Sequence, residues 1–260
     1  MRLRAEGLAH AYEGLEALGP LDLVVDSGER VAVVGPSGCG KSTLLGLLGG
    51  LLRPSRGRVL LEGAPPEGSL VPLAYVFQDF ALLPWRTVEA NVALPLEDRL
   101  PPAECRARVR AALARTGLAD FARAYPRQLS GGMRQRVGIA RALVVEPGVL
   151  LLDEPLSALD AQTRELLLEE VLALTAGATL VWVTHHLQEA VRVADRVVLL
   201  SARPGRIRAI LPVPIPVGER DRPAALAELA RLERELWELL REDARRAETA
   251  LTVGAADAAT

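Results

Sequence analysis

Short apolar runs alternate along the chain with longer stretches in which apolar residues recur every three or four positions, a pattern of strands alternating with helices. Residues 2–9 and 21–25 form short β-like pieces, and the turn Asp26-Ser27-Gly28-Glu29 delivers the chain into the apolar run Val31 to Val34. Further strands are expected at Leu73 to Phe77, Val149 to Leu152, Leu180 to Thr184 and Asp195 to Leu200, the last of the core. Val149 to Leu152 is apolar on both faces, as a central parallel strand requires. Helical spacing marks residues 101–118, the stretch from Ser130 through Val145, and Arg164 to Thr175, so that residues 79–143 form a mostly helical insertion in an α/β chain. Beyond the core, prolines alternate through Leu211 to Val217, which reads as an extended edge or a linker. Residues 223–246 form an amphipathic helix with Leu229, Leu232, Leu236 and Leu239 on one side, expected to pack on its own domain, and 249–260 are expected to be a disordered tail.

With 260 residues, half of them hydrophobic, the chain can bury one large α/β core and a small subdomain. Its 31 basic and 33 acidic residues are evenly spread, which disfavours nucleic acid and anionic lipid as partners. Two cysteines, Cys39 and Cys105, make no disulfide framework, and a reducing compartment is expected. The N-terminus shows no signal-peptide pattern, and no apolar run approaches the ~20 residues that span a bilayer. The chain is therefore expected to be soluble in itself, with any membrane role coming through a partner.

The chemistry starts at Gly35-Pro36-Ser37-Gly38-Cys39-Gly40-Lys41-Ser42, which fits G-x-x-x-x-G-K-[ST] between a strand and a helix that opens with Thr43. Glycines let successive N–H groups converge on phosphate oxygens, and the helix adds its positive end. Lys41 would reach the β- and γ-phosphates and Ser42 would hold Mg²⁺. Lys41 is the only lysine in the chain, placed where a compact ammonium fits and an arginine fork would not. Cys39, at a helix N-terminus, is expected to alkylate readily and to be protected by nucleotide.

Other positions carry weaker signals. Tyr12 could stack on an adenine ring or simply anchor a loop. Gln78, at a strand end, could hold a metal or water through its amide oxygen, although glutamine there is commonly a surface residue. Trp85, in the apolar loop Leu82 to Arg86, is either core or an exposed docking residue. Ser130 would cap a helix whose Gly131 and Gly132 leave N–H groups open, a second place suited to an anion. Asp153 and Glu154, two adjacent carboxylates at a strand end, would hold Mg²⁺ and take a proton from an attacking water, unless both cap the following helix. His185 and His186 follow the next strand, where an imidazole could touch a γ-phosphate.

Taken together and in this order, the phosphate loop, Gln78, Leu129-Ser130-Gly131-Gly132 with Arg134-Gln135-Arg136, the strand ending in Asp153-Glu154, Ser157-Ala158-Leu159-Asp160 and the strand ending in His185 resemble the ATP-binding cassette family over about residues 1–205. That resemblance implies a P-loop NTPase core with a mainly parallel sheet, an N-terminal antiparallel β layer and an inserted helical subdomain, followed by a linker and helix over 206–248. It also implies ATP and Mg²⁺ as cofactors and two copies closing head to tail, each ATP lying between the phosphate loop of one and the Ser-Gly-Gly helix of the other. By position, Tyr12 resembles the adenine-stacking aromatic, Gln78 the residue linking metal to a membrane partner, and Asp153 the magnesium carboxylate. Glu154 resembles the general base, Asp160 the loop that meets the second copy, and His185 the switch histidine, although the usual aspartate after it is here His186.

Within the family, Leu82 to Val92 and Ala194 to Ile207 are similar to the nitrate/sulfonate/taurine-type importer ATPases. This implies integral membrane permease subunits docking near Gln78 to Val92, an extracytoplasmic solute-binding protein, and a place on the cytoplasmic face of the inner membrane. Alternatives are a soluble cassette acting as an ATP-gated clamp, whose long coiled coil or tandem cassette is missing here, a cassette for lipid or metal-chelate systems, and a phosphate-loop kinase, against which the Leu-Ser-Gly-Gly helix counts.

Overall fold

The structure, a computed structural model, describes residues 1–157 and 159–257, and of 243–257 the backbone alone. In chain order its elements are β1 (Arg2–Tyr12), β2 (Leu15–Val25), β3 (Arg30–Val34), α1 (Lys41–Leu48), β4 (Arg56–Glu62), β5 (Leu73–Val76), α2 (Val88–Ala93), α3 (Pro102–Arg115), α4 (Gly131–Leu143), β6 (Val149–Asp153), α5 (Ala161–Leu174), β7 (Thr179–Val183), α6 (Leu187–Val193), β8 (Arg196–Leu200), β9 (Ile207–Pro212) and α7 (Pro223–Asp257). They gather into two compact units, one of residues 1–3, 24–29 and 61–182, the other of residues 4–23, 30–60 and 183 onward.

In the first unit β5 and β6 pair in parallel, with Tyr75 opposite Leu151 and Val76 opposite Leu152. Every residue of β6 is buried, which explains its unbroken apolar run: a parallel strand is covered on both faces. Each such aliphatic side chain contributes about 1.5–3 kcal/mol on burial. The segment between β5 and β6 folds on a core of its own, where Val88 and Val92 of α2 meet Val109 and Leu113 of α3 and Val137 of α4.

The second unit holds β3 parallel to β8, with Val31 opposite Arg196 and Val34 opposite Leu199. β1 and β2 turn back at Glu13 and Gly14, both with positive φ (47° and 87°), the geometry of a tight hairpin, and β4 lies on the other side of β1. Leu229, Leu232 and Leu236 of α7 pack on Val197 and Leu199 of β8 and Val191 of α6, as the spacing of those leucines predicts. Arg220, 1% exposed, ties the approach to α7 by donating to the carbonyls of Ile215, Arg192 and Ala194 at 2.9, 2.7 and 2.8 Å. Burial pulls its guanidinium down to about 10, a shift that nearby Asp195 opposes.

Two expectations need correction. Asp195 to Leu200 is followed by one more strand, since β9 pairs antiparallel with β8. It can do so because, of the prolines in Leu211 to Val217, only Pro212 falls within the strand, as its last residue. The backbone of α7 continues to Asp257 where a disordered tail was expected from Thr249. The alanines there are strong helix formers and extend a helix already nucleated. Residues 258–260 of that tail lie outside the described residues.

Candidate nucleotide site

The phosphate loop leaves β3 at Val34 and enters α1 at Lys41. Gly40, the residue before the helix, has φ 99° and ψ 15°, a left-handed conformation that a side chain would strain. Lys41 is buried, and its Nζ donates to the carbonyls of Gly35 and Pro36 at 2.9 and 3.0 Å. Its ammonium is thus folded back inside the loop. Cys39 is 1% exposed, and burial pushes its thiol up, an effect that Lys41 partly offsets. Burial and a raised thiol both count against the ready alkylation expected from its position at a helix N-terminus.

Tyr12, at the end of β1 and 46% exposed, lies with its hydroxyl 3.3 Å from Oγ1 of Thr43, so the aromatic residue and the loop's helix are brought together. Its ring meets His10 edge-on at 4.4 Å. Of the histidine pair, His185 is exposed and His186 half-buried, their ring centroids 4.0 Å apart. The backbone around them is fixed by Thr184, whose N–H donates to Val33 O at 3.2 Å and whose hydroxyl accepts from His186 N–H at 3.0 Å.

In the other unit, Asp153 closes β6, and its Oδ2 accepts a 3.1 Å hydrogen bond from the hydroxyl of Tyr75 on β5. Burial, together with the carboxylate, pushes the Tyr75 phenol up, so it stays a donor. Glu154 follows with φ 44°, a strained conformation for a residue with a side chain. Neither carboxylate caps α5. Asp160 does, accepting from Thr163 N–H at 3.0 Å, and that bond holds its carboxyl below the usual range. Ser130 caps α4, accepting from Met133 N–H at 3.3 Å, and Gly131 and Gly132 form the first turn. A Cβ on Gly132 would lie 3.1 Å from Leu167 Cδ1, a close approach that keeps this turn bare.

Gln78 is exposed just beyond β5, in a turn where Phe80 and Ala81 both have positive φ (61° and 43°). Arg141 of α4 donates to the carbonyls of Phe80 and, at 2.7 Å, Ala81. Trp85 is 72% exposed, which settles it as a surface residue. Its loop is stapled by buried Asn91, which accepts from Leu83 N–H at 2.8 Å and donates to the carbonyls of Leu83, Arg86 and Thr87. A cleft of about 640 Å³ opens in the same helical segment, lined by Ala90, Ala93, Val109 and Leu113, with Glu89, Glu97, Arg106 and Arg110 as its charged members. Sequence reasoning missed Asn91 and Arg141. The available signal for Asn91 was an amide on the inward face of an otherwise apolar helix start.

A family model described as "ABC transporter" matches residues 18–157. The aliphatic sulfonates import ATP-binding protein SsuB 2 of Pseudomonas aeruginosa is 47% identical over 236 residues, 90% of this chain and 82% of that protein. The taurine import ATP-binding protein TauB of Yersinia pestis is 45% identical over 208 residues, 79% and 82% of the two chains. An uncharacterized ABC transporter ATP-binding protein of Methanocaldococcus jannaschii is 41% identical over 250 residues, 94% and 92%. Among solved structures, an ATP-binding cassette dimer in a post-hydrolysis state with ADP and Pi superposes with a TM-score of 0.70 at 32% identity, covering 81% of this chain and 98% of that one.

Proposed function

Because the chain belongs to the ABC transporter family and is an ATPase of that kind, we propose that it is the ATP-hydrolysing subunit of a membrane importer for small anionic solutes of the sulfonate, taurine or nitrate type. The observation that carries this is the 45–47% identity to sulfonate and taurine import ATP-binding proteins over most of both chains. Among the described residues no helix is long and apolar enough to cross a membrane. Coupling then belongs to permease subunits, with the chain peripheral on the cytoplasmic face of the inner membrane and a solute-binding protein acting beyond it.

The residues fit ATP with Mg²⁺. The loop from Gly35 to Thr43 offers N–H groups and an ammonium to the phosphates, and Tyr12 offers an exposed ring to the adenine. Ser42, Gln78 and Asp153, as hydroxyl, amide-carbonyl and carboxylate oxygen donors of the kind Mg²⁺ takes, would hold the metal, which would supply neutralisation of phosphate charge. Glu154 accepts a proton from the water that attacks the γ-phosphorus, the bond to the β-γ bridging oxygen breaks, and ADP departs. His185 contacts the γ-phosphate, being the exposed member of its pair.

Ser130, Gly131 and Gly132 meet the nucleotide of a second copy, and Asp160 lies at that interface. A homodimer thus closes on two ATP molecules and reopens after hydrolysis. The stretch from Gln78 to Val92, at the start of the helical insertion, receives the permease. Trp85, held outward by the Asn91 staple, and the nearby apolar cleft are the surfaces it offers.

The test is a pull-down with tagged Glu154→Gln protein and ATP from detergent-solubilised native membranes. A multi-span membrane protein in near-equal amount is expected. Recovery of soluble proteins or nucleic acid alone would move a soluble ATP-gated clamp ahead of the importer.

A further inference from the structure

The turn between β8 and β9, Ser201 to Arg206, is built more tightly than a hairpin needs. Ser201 N–H donates to Arg206 O at 2.9 Å, its Oγ accepts from Arg206 N–H at 3.1 Å, and the same hydroxyl bonds Pro204 O at 3.3 Å. These bonds fix Gly205. Its N–H donates to Ala17 O at 3.1 Å, and its carbonyl accepts from Gly19 N–H at 2.9 Å, so the turn is stitched to β2 on both sides of buried Leu18.

A Cβ added to Gly205 would lie 2.0 Å from the carbonyl oxygen of Cys39. The φ of Gly205 is not positive, so its backbone would accept alanine; the Cys39 carbonyl is what excludes one. Next in the chain, a Cβ on Gly40 would lie 2.9 Å from Ala17 O. The peptide from Cys39 to Gly40 is therefore pressed onto the seam where β2 meets Gly205, with no room for an added carbon on either side.

A trans peptide directs its C=O and N–H in opposite directions. With the Cys39 carbonyl turned onto Gly205, the N–H of Gly40 points away from Gly205. We propose that Gly205 is a positioning residue of the phosphate loop, its missing Cβ giving the Cys39 carbonyl its place and so aiming the Gly40 N–H at a nucleotide phosphate. This rests on the assignment of residues 35–43 as the ATP site. It gives a role to the motif Ser201 to Ile207.

The test compares Gly205→Ala, Ser201→Ala and, as a control in open space, Gly218→Ala. Calorimetry gives the dissociation constants for Mg-ATP and ADP, and ¹⁵N-glycine labelling gives the ADP-induced shift of the Gly40 amide. Gly205→Ala is expected to weaken both nucleotides about tenfold, the scale of an overpacked backbone contact, and to remove the Gly40 shift. Ser201→Ala loosens the turn without adding an atom and is expected to cause a smaller loss in the same direction, while Gly218→Ala binds normally. A Gly205→Ala protein that melts earlier yet binds nucleotide normally with the Gly40 shift intact overturns the proposal. Should that variant not fold, an unaltered affinity and shift in Ser201→Ala overturn it equally. Failure of the unmodified chain to bind ATP would instead remove the underlying site assignment, and the proposal with it.

Discussion

The hydroxyl of Tyr75 reaches Oδ2 of Asp153 at 3.1 Å across the parallel pair of β5 and β6. Tyr75 stands opposite Leu151, and Asp153 lies two residues further on the same face, within reach of a long aromatic side chain. Tyr75→Phe keeps the ring and deletes only the donor. We expect the Mg²⁺ concentration for half-maximal ATP hydrolysis to rise about fivefold, the effect of one lost hydrogen bond, with nucleotide affinity without metal unchanged. A magnesium titration checks this, with Mn²⁺ binding followed by electron spin resonance. An unshifted metal dependence would show that Tyr75 supports the strand pair and not the carboxylate.

If Glu154 is the general base proposed above, replacing it by Gln removes the proton acceptor while the side chains of the phosphate loop stay as they are. Steady-state phosphate release should fall about 10²- to 10⁴-fold with Mg-ATP affinity retained. Undiminished release would transfer the general-base role elsewhere.

Arg141 holds the carbonyls of two residues, Phe80 and Ala81, that both sit at positive φ, where strain costs about 1–3 kcal/mol each. The guanidinium keeps that turn in shape beside Gln78. In Arg141→Ala, amide hydrogen exchange across residues 79–82 should speed up about tenfold while that of β6 stays as it was. Equal protection in both proteins would mean that the turn holds without the clamp.

Cys39 is almost fully buried with its thiol pushed up, whereas Cys105 is half-buried in the helical segment. A raised thiol pKa lowers the thiolate fraction at any given pH, and thiolate is the reacting form. Brief exposure of the native chain to iodoacetamide at pH 8 should therefore modify Cys105 first, as read by peptide mass spectrometry. Prior labelling of Cys39 would restore the expectation drawn from its helix-end position alone.

Much of the fold was legible because its signals are local. Val31 to Val34 and Val149 to Leu152 could be taken for core strands from apolar runs alone, and both are fully buried. The loop glycines announced a tight turn between a strand and a helix, and the structure has that turn, with Gly40 left-handed before Lys41. What the sequence hid depends mostly on tertiary contact. That Cys39 is buried and that Arg141 grips Phe80, 61 residues away, are facts of tertiary packing; the Asn91 staple is local, its partners lying four to eight residues back in the chain, but it leaves no periodic signal. The pairing of β9 was obscured by prolines that in fact lie at its end and beyond, and the length of α7 by threonines and a glycine among its alanines.

The measurement that bears most directly on ATP-driven closure is the solution mass of Glu154→Gln by size-exclusion chromatography with light scattering. With Mg-ATP the protein should run at twice the monomer mass, returning to the monomer with ADP or when Ser130→Arg is added to block the Ser-Gly-Gly helix. A chain that stays monomeric with ATP demonstrably bound would contradict closure of two copies on nucleotide as the step that drives transport.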